Sequence, residues 1–142
     1  MLFELPIVFH SQGTPLIGRV FRNTASLQER QPAIISMGSW LTVKEQMATT
    51  YARRLAESGY TTFVFDFSGF GESRGDPRQA EIPSRKIGDI KAAVALLQTL
   101  AFVEQGSSGS VERARFQKHC RPVRPVEAQD RRAGFAGADV RP

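Results

Sequence analysis

Residues 61–75, TTFVFDFSGFGESRG, hold the pattern that decides the fold. The stretch begins as an apolar run rich in Phe and Thr, which is typical of a buried strand. It ends on a turn that contains Gly69, Gly71 and Gly75. A glycine-rich turn after a strand occurs in dinucleotide-binding sites, and also in α/β folds that only redirect the chain at that point. The sequence on either side separates these two interpretations.

The segment after the turn argues against nucleotide binding. A dinucleotide fingerprint needs its glycines to open the next helix directly, so that the helix N-terminus meets the pyrophosphate. Here the glycines have the spacing GxGxxxG, and Pro77 and Pro83 lie between them and the next helical pattern. We therefore expect no nucleotide at this turn and no cofactor elsewhere in the chain.

Residues 42–59, TVKEQMATTYARRLAESG, carry the clearest helical pattern in the chain. Thr42 and Glu45 have the spacing of a capping box, and Gly59 is placed as the C-terminal stop. Apolar residues recur every four positions. This period predicts a buried stripe of Val43, Met47, Tyr51 and Leu55.

Further strands and a second helix complete an alternating order. Residues 5–22 predict two strands joined by a turn at residues 11–14, in which Gly13 takes a positive φ. The run PAIISM at 32–37 is continuously apolar, as in a strand buried on both faces. Residues 84–100 predict a helix with the buried stripe Ile87, Ile90, Val94 and Leu97. This order predicts an α/β fold with a parallel sheet.

The end of the chain differs in composition from the rest. The whole chain of 142 residues is 41% hydrophobic, which fits one globular domain. However, residues 110–142 hold 8 Lys and Arg against 4 Asp and Glu, whereas residues 1–109 hold 11 against 10. The end segment also lacks Leu, Ile, Met, Trp and Tyr, so it has no core-facing stripe. We therefore divide the chain into a domain, 1–105, and a basic, disordered tail, 106–142.

Several function classes are not expected from the sequence. Only Phe116 and Phe135 of the tail could stack on bases, so nucleic-acid binding is not predicted. Cys120 is the single cysteine, and its neighbour His119 has no second pair at zinc spacing, so neither a disulfide nor a metal site is expected. The chain has no apolar run near the roughly 20 residues that cross a bilayer, and no signal-peptide pattern. A cytoplasmic protein without membrane contact is predicted.

Three segments occur together in a recognisable order: GSWLTVKEQM at 38–47, a helix, strand and D-x-x-G-x-G-x-S turn at 51–79, and RKIGDIKAAVALLQ at 85–98. This combination resembles the N-terminal half of an α/β-hydrolase, specifically the dienelactone-hydrolase-like and related acyl hydrolase group. The resemblance covers most of residues 5–105. It implies a partial α/β-hydrolase fold, mainly a parallel sheet with flanking helices, and a small substrate with an ester, thioester or lactone bond.

The resemblance also implies roles for two loops. The backbone N–H of Trp40, with Ser39 beside it, is implied as an oxyanion donor in the loop after PAIISM. The residues alone leave this open against a plain strand-to-helix turn in which Trp40 covers the helix end. The later turn is implied to shape the loop beside the active site without binding phosphate, and Asp66 is expected to accept backbone N–H bonds across it. This structural turn consists of Asp66, Gly69, Gly71 and Ser73.

A complete catalytic triad is not predicted. A hydrolase of this kind needs a nucleophile elbow after a fifth strand, then an acid, then a histidine. We predict no such strand after the second helix, and GSSGS at 106–110 lacks the last glycine of G-x-S-x-G. His10 lies in the first strand region, and His119 precedes both Asp130 and Asp139, against the required order. The chain is therefore expected to be inactive by itself.

Two hypotheses follow. In the first, the chain is the N-terminal piece of an acyl hydrolase, and its tail is the product of a shifted reading frame. In the second, it is a non-catalytic α/β module whose basic arm binds an acidic partner. Under the first hypothesis the strand at 33–37 lacks a neighbour on one side. We then expect an exposed sheet edge, marginal stability and self-association through that edge, which Ser36→Pro would weaken.

Overall fold

The computed structural model describes residues 1–38, 41–111 and 121–122. Within them, six strands and two helices form. The strands are β1 (Phe3–Ser11), β2 (Thr14–Arg22), β3 (Gln31–Ser36), β4 (Thr61–Phe65), β5 (Val103–Val111) and β6 (Arg121–Pro122). The helices are α1 (Met47–Glu57) and α2 (Pro83–Thr99). Neither helix of the described part is long and apolar enough to cross a membrane.

The strands form one mixed sheet in the order β1-β2-β4-β3-β5-β6. Strand β3 lies between β4 and β5 and is parallel to both, whereas the other neighbouring pairs are antiparallel. The predicted α/β class is confirmed, with the parallel pairing confined to the three central strands. Because these strands are parallel, the loops that follow β3 and β4 leave from the same edge of the sheet.

The first two strands form the predicted hairpin. Ser11 pairs with Thr14, and the two residues between them, Gln12 and Gly13, have φ values of 49° and 79°. Positive φ at both central positions is the geometry of a type I′ turn, whose twist matches the twist of the flanking strands. The predicted turn and the positive φ of Gly13 are both confirmed.

Each face of the sheet packs against one helix. Side chains along β4 alternate, so Phe63 and Phe65 join the larger cluster under α2, while Val64 joins the smaller cluster under α1. Four phenylalanine rings of the larger cluster make edge-to-face or stacked contacts with centroid separations of 5.0 to 5.7 Å. They are Phe9, Phe63, Phe65 and Phe67. Aromatic residues therefore dominate the cluster under α2, whereas Phe21 is the one phenylalanine of the smaller cluster under α1.

Helix α1 packs through alanine, which corrects the predicted stripe of Val43, Met47, Tyr51 and Leu55. Its fully buried residues are Ala48, Ala52 and Ala56, whereas Met47 is 38% exposed. These short side chains bring the helix close enough for hydroxyl groups of the sheet to reach its carbonyls. Ser36 donates to Ala48 O at 3.0 Å, and Thr62 donates to Ala52 O at 2.8 Å.

The helix ends were predicted with mixed success. Gly59 has a φ of 94° and follows Ser58, the C-cap residue of α1, so the predicted stop is confirmed. The capping box is wrong, because α1 begins at Met47 after Gln46, which provides no side-chain cap. In α2, Val94 and Leu97 are buried as predicted, but Ile87 is 45% exposed and Asp89 is buried instead.

Strand β5 corrects the prediction that no strand follows the second helix. Val103–Val111 pairs in parallel with β3 and carries the sheet past residue 105. Strand β3 therefore has a neighbour on each side, and the predicted exposed edge at 33–37 is wrong. The Gly- and Ser-rich sequence of β5 has low strand propensity, but pairing with the existing β3 ladder overrides it. The predicted disorder of the tail concerns residues 112–120 and 123–142, which lie outside the described residues.

Candidate active-site loops

Two loops meet at the carboxyl ends of β3 and β4. The first, residues 37–46, connects β3 to α1, and the second, residues 66–82, connects β4 to α2. Ligands of open α/β sheets bind at this end of the strands. Ser39 and Trp40, the residues implied to serve the oxyanion, lie outside the described residues. The flanking parts of the same loop are described and contact the second loop.

Asp66 is the centre of this contact. Its side chain is fully buried, and its Oδ1 accepts the backbone N–H of Lys44 at 2.8 Å. Its Oδ2 accepts the Lys44 ammonium at 2.7 Å and the backbone N–H of Glu72 at 3.0 Å. The expectation that Asp66 accepts backbone N–H bonds across the turn is confirmed. The carboxylate additionally joins the turn to the loop after β3, which the sequence did not indicate.

Lys44 carries a buried charge between three carboxylates. The side chain is 0% exposed, and its Nζ lies 2.7 Å from Asp66, 2.6 Å from Glu45 and 3.4 Å from Glu72. Burial by itself would lower the pKa of Lys44, but the hydrogen bonds and negative charges of Asp66 and Glu45 outweigh it and raise the pKa. Burial of Glu45 acts toward a higher pKa, but its bond to Lys44 lowers the pKa overall. The ammonium therefore stays charged in the folded protein.

Arg19 connects this charge cluster to the hairpin. It projects from β2, and its guanidinium lies 3.9 Å from Glu45, 3.6 Å from Glu72 and 3.0 Å from Glu4. These contacts are about one-third to one-half exposed, so each is weaker than the buried pair. Arg19 and Lys44 together offset part of the negative charge of the four carboxylates that they contact, Glu4, Glu45, Asp66 and Glu72.

Gly69 and Gly71 of the turn lie at positions where a larger residue would be strained. Gly71 has a φ of 49°, and a Cβ there would overlap the Asp66 carboxyl group. Gly69 has a φ of 87°, and a Cβ there would lie 2.8 Å from the carbonyl oxygen of Pro77. Both positions therefore combine a left-handed backbone with a close approach.

The N–H groups of the turn are used within the turn. Gly69 donates to Arg74 O at 2.9 Å, Phe70 to Phe67 O at 2.9 Å, and Ser73 to Phe70 O at 3.0 Å. A phosphate cradle would instead leave such donors pointing at the ligand. This geometry favours the structural interpretation of the turn over a phosphate site.

Ser73 connects the turn to strand β2 of the hairpin by hydrogen bonds. Its hydroxyl is buried, donates to Asp66 O at 2.6 Å and accepts the Ile17 N–H at 2.9 Å. The Ser73 oxygen is therefore committed to structure and is not placed as a nucleophile. Ser73 lies two residues after Gly71, and its two hydrogen bonds explain why the turn pattern has a serine at this position.

A cleft of about 210 Å³ lies between the two loops. It is lined by Leu41, Val43, Phe70, Gly71 and Gln79. Polar and apolar atoms line the cleft in about equal proportion, and Gln79 is the one side-chain amide among these lining residues. Its position at the carboxyl ends of parallel strands is the usual place of a ligand site in open α/β sheets.

The chain is similar in sequence to parts of several known proteins. No protein-family model matches the chain. The chain is 46% identical over 69 residues to the uncharacterised protein YcjY of Escherichia coli, a match that covers 49% of the chain and 22% of YcjY. It is 33% identical over 78 residues to a thiohydrolase of Eupenicillium brefeldianum, covering 55% of the chain and 25% of that protein. The chain thus spans about a quarter or less of these relatives.

Solved structures match more of the chain. The hypothetical protein PA2218 of Pseudomonas aeruginosa has a TM-score of 0.72 and 32% identity, covering 77% of this chain and 34% of that one. The α/β-hydrolase GrgF of a Penicillium species has a TM-score of 0.66 at 22% identity, and the match covers 78% of this chain and 36% of GrgF. An acetyl xylan esterase of Paenibacillus has a TM-score of 0.65 at 14% identity, and the match covers 78% of this chain and 40% of the esterase.

The sheet order, the two flanking helices and these neighbours define a partial α/β-hydrolase fold. The described residues supply the first part of such a sheet and two of the loops at its carboxyl end.

Proposed function

We propose that the chain is part of an acyl hydrolase that acts on ester, thioester or lactone bonds, and that it has no turnover by itself. The observation that carries this proposal is the buried Lys44–Asp66 contact, which fixes the loop after β3 against the turn after β4. Serine hydrolases of this fold take one oxyanion donor from the loop after β3. A thiohydrolase among the relatives and an esterase among the structural neighbours support this substrate class.

Trp40 is the proposed oxyanion donor, through its backbone N–H, with Ser39 beside it. A donor of this kind must be held in place before the reaction, because its catalytic value comes from not having to reorganise. The loop that contains both residues is anchored on its C-terminal side by Lys44, through backbone and side chain at once. This anchoring is what an oxyanion loop requires.

Inactivity is proposed because three buried serines near the carboxyl ends of β3 and β4 use their hydroxyls in structural hydrogen bonds. The buried hydroxyls of Ser36, Ser68 and Ser73 donate to Ala48 O, to Asp89 Oδ1 and to Asp66 O respectively. His10 lies exposed on the edge strand β1. None of these three hydrogen bonds goes to a histidine, so none of these three serines forms the Ser–His couple that activates a nucleophile.

The serines of β5 also argue against an elbow. Ser108 lies opposite Ala33 and Ser110 lies opposite Ile35 in the parallel ladder with β3. A nucleophile elbow is a strained turn between a strand and a helix, with the serine exposed at the top of the sheet. Residues 106–110 therefore occupy a strand where the elbow would require a turn.

The coding DNA provides the test of the parent class. Translation of the two other reading frames past codon 105 is expected to show an apolar strand followed by a serine or cysteine elbow. If neither frame contains one, the proposal of an interrupted hydrolase fails. The alternative, a non-catalytic α/β module with a basic arm, would then be favoured. The proposed compartment in either case is the cytoplasm.

A further inference from the structure

Glu81, in the loop after β4, contacts the backbone of the loop after β3. Its Oε1 accepts the backbone N–H of Leu41 at 2.7 Å, across 40 residues of sequence. The Glu81 side chain is only 10% exposed, so the carboxylate is largely removed from water. Leu41 directly follows Trp40, the proposed oxyanion donor.

Leu41 needs such a contact because of its backbone conformation. Its φ is 54°, in the left-handed region that residues with a Cβ rarely adopt. A conformation of this kind persists only where the surroundings determine it, and it is found often at functional sites. The Leu41 side chain is 55% exposed, so side-chain packing gives little restraint. The hydrogen bond to Glu81 supplies that restraint.

Lys86 in turn holds Glu81. Its ammonium lies 2.8 Å from Oε1 and 2.6 Å from Oε2 of the carboxylate. The same ammonium lies 4.7 Å from the centroid of the Phe67 ring and 5.1 Å from that of Phe70. Because Phe70 lines one wall of the cleft and Leu41 lines the other, Lys86 and Glu81 connect the two walls.

We propose that Glu81, oriented by Lys86, is a positioning residue that sets the oxyanion loop. The Leu41 N–H belongs to the peptide group that it shares with the Trp40 carbonyl. Fixing that N–H therefore fixes the plane of this peptide group, which directly follows the proposed oxyanion donor in the sequence. Glu81 acts through the loop and does not contact the substrate. The name oxyanion loop rests on the proposed function, whereas the contact itself does not.

The test uses hydrogen exchange at single amides of the full chain. We expect Glu81→Ala to speed exchange of the Leu41 amide by about tenfold, the factor that the loss of one hydrogen bond allows. Glu81→Gln is expected to retain most of the protection, because the introduced amide oxygen can accept the same N–H. The amides of Lys44 and Glu72, which are bonded to Asp66, serve as internal references and are expected not to change. Glu57→Ala, on the exposed end of α1, is the matched control.

Trp40 provides a second signal, because it is the single tryptophan of the chain. We expect acrylamide quenching of its fluorescence to change in Glu81→Ala and Lys86→Met and to remain unchanged in Glu57→Ala. Unchanged exchange at Leu41, or unchanged quenching, would overturn the proposal. So would equal acceleration at the Leu41, Lys44 and Glu72 amides, since Glu81 would then be a general stabiliser. None of these signals needs turnover, so they are independent of whether the proposed function holds.

Discussion

Lys44 and Asp66 are joined by two separate contacts, one from the Lys44 backbone N–H and one from its ammonium group. Each contact uses a different oxygen of the same carboxylate. The loop after β3 therefore cannot shift against the turn after β4 without breaking both. Since Lys44 and Asp66 side chains are fully buried, neither contact can be replaced by water without opening the site.

Lys44→Met is expected to lower the free energy of unfolding by about 3 kcal/mol, because it leaves the Asp66 carboxylate buried without its cation. Urea denaturation measures this change. Adding Asp66→Asn to Lys44→Met is expected to recover part of the loss, since the two side chains form one unit. The control Glu57→Ala should stay within about 0.5 kcal/mol of the unsubstituted chain. A Lys44→Met variant as stable as that control would refute the role of the pair.

Gly71→Ala is expected to destabilise the chain more than Gly13→Ala. Both glycines have a positive φ, but a Cβ at Gly71 would overlap the Asp66 carboxyl group, whereas nothing lies within 4 Å of one at Gly13. Gly13→Ala should lower the free energy of unfolding by about 1 kcal/mol, from backbone strain alone. Gly71→Ala adds the displacement of Asp66. Equal losses in denaturant titrations of the two variants would contradict this account.

The charge cluster should make stability depend on pH at both extremes. The pKa of Lys44 is raised above its ordinary 10.5, so its contribution is complete below pH 10.5 and is lost as pH rises through the raised value. The pKa of Glu45 is lowered below 4.5, so its contribution is present above pH 4.5 and is lost as pH falls through the lowered value. The loss of stability at acidic pH is expected to be smaller than the loss at alkaline pH, because Glu45 is 44% exposed.

Melting curves of the unsubstituted chain and of Lys44→Met test the predicted loss of stability at alkaline pH. The difference in melting temperature between the two is expected to narrow as pH rises above 10.5, since the deprotonated lysine no longer pairs with Asp66. A difference that stays constant across this range would show that the charge of Lys44 does not stabilise the fold.

Limited proteolysis addresses the basic tail. Its composition predicts that trypsin cuts first within residues 112–142, where Arg is frequent and no core-facing stripe exists. The sheet, including β5 to Val111, is expected to resist longer, because its backbone is paired. Mass spectrometry of early fragments gives the cut sites. Uniform resistance along the whole chain would contradict the predicted tail.

Features with a local sequence signal were predicted correctly. The hairpin turn at Gly13, the stop at Gly59 and the turn at Asp66 each depend on residues within a few positions of one another, so the pattern itself contains the geometry. The buried character of β3 likewise follows from its continuous apolar run. In each case the residues that set the conformation are neighbours in sequence.

Features that depend on distant partners were missed. Lys44 has its main partner 22 residues away and Glu81 reaches Leu41 across 40, so neither contact has a local signal. The alanine face of α1 was overlooked because small residues do not mark an apolar stripe, although they allow the closest approach to the sheet. Strand β5 was missed because its Gly- and Ser-rich sequence gains order from pairing with β3.

Hydrolysis of a p-nitrophenyl ester by the purified chain tests the central claim most directly. The account predicts no turnover above the buffer rate, because the proposed oxyanion donor provides no covalent route without a nucleophile and a base. Measurable turnover that disappears in Ser110→Ala or His119→Ala would contradict it and would show that the chain holds a working catalytic site.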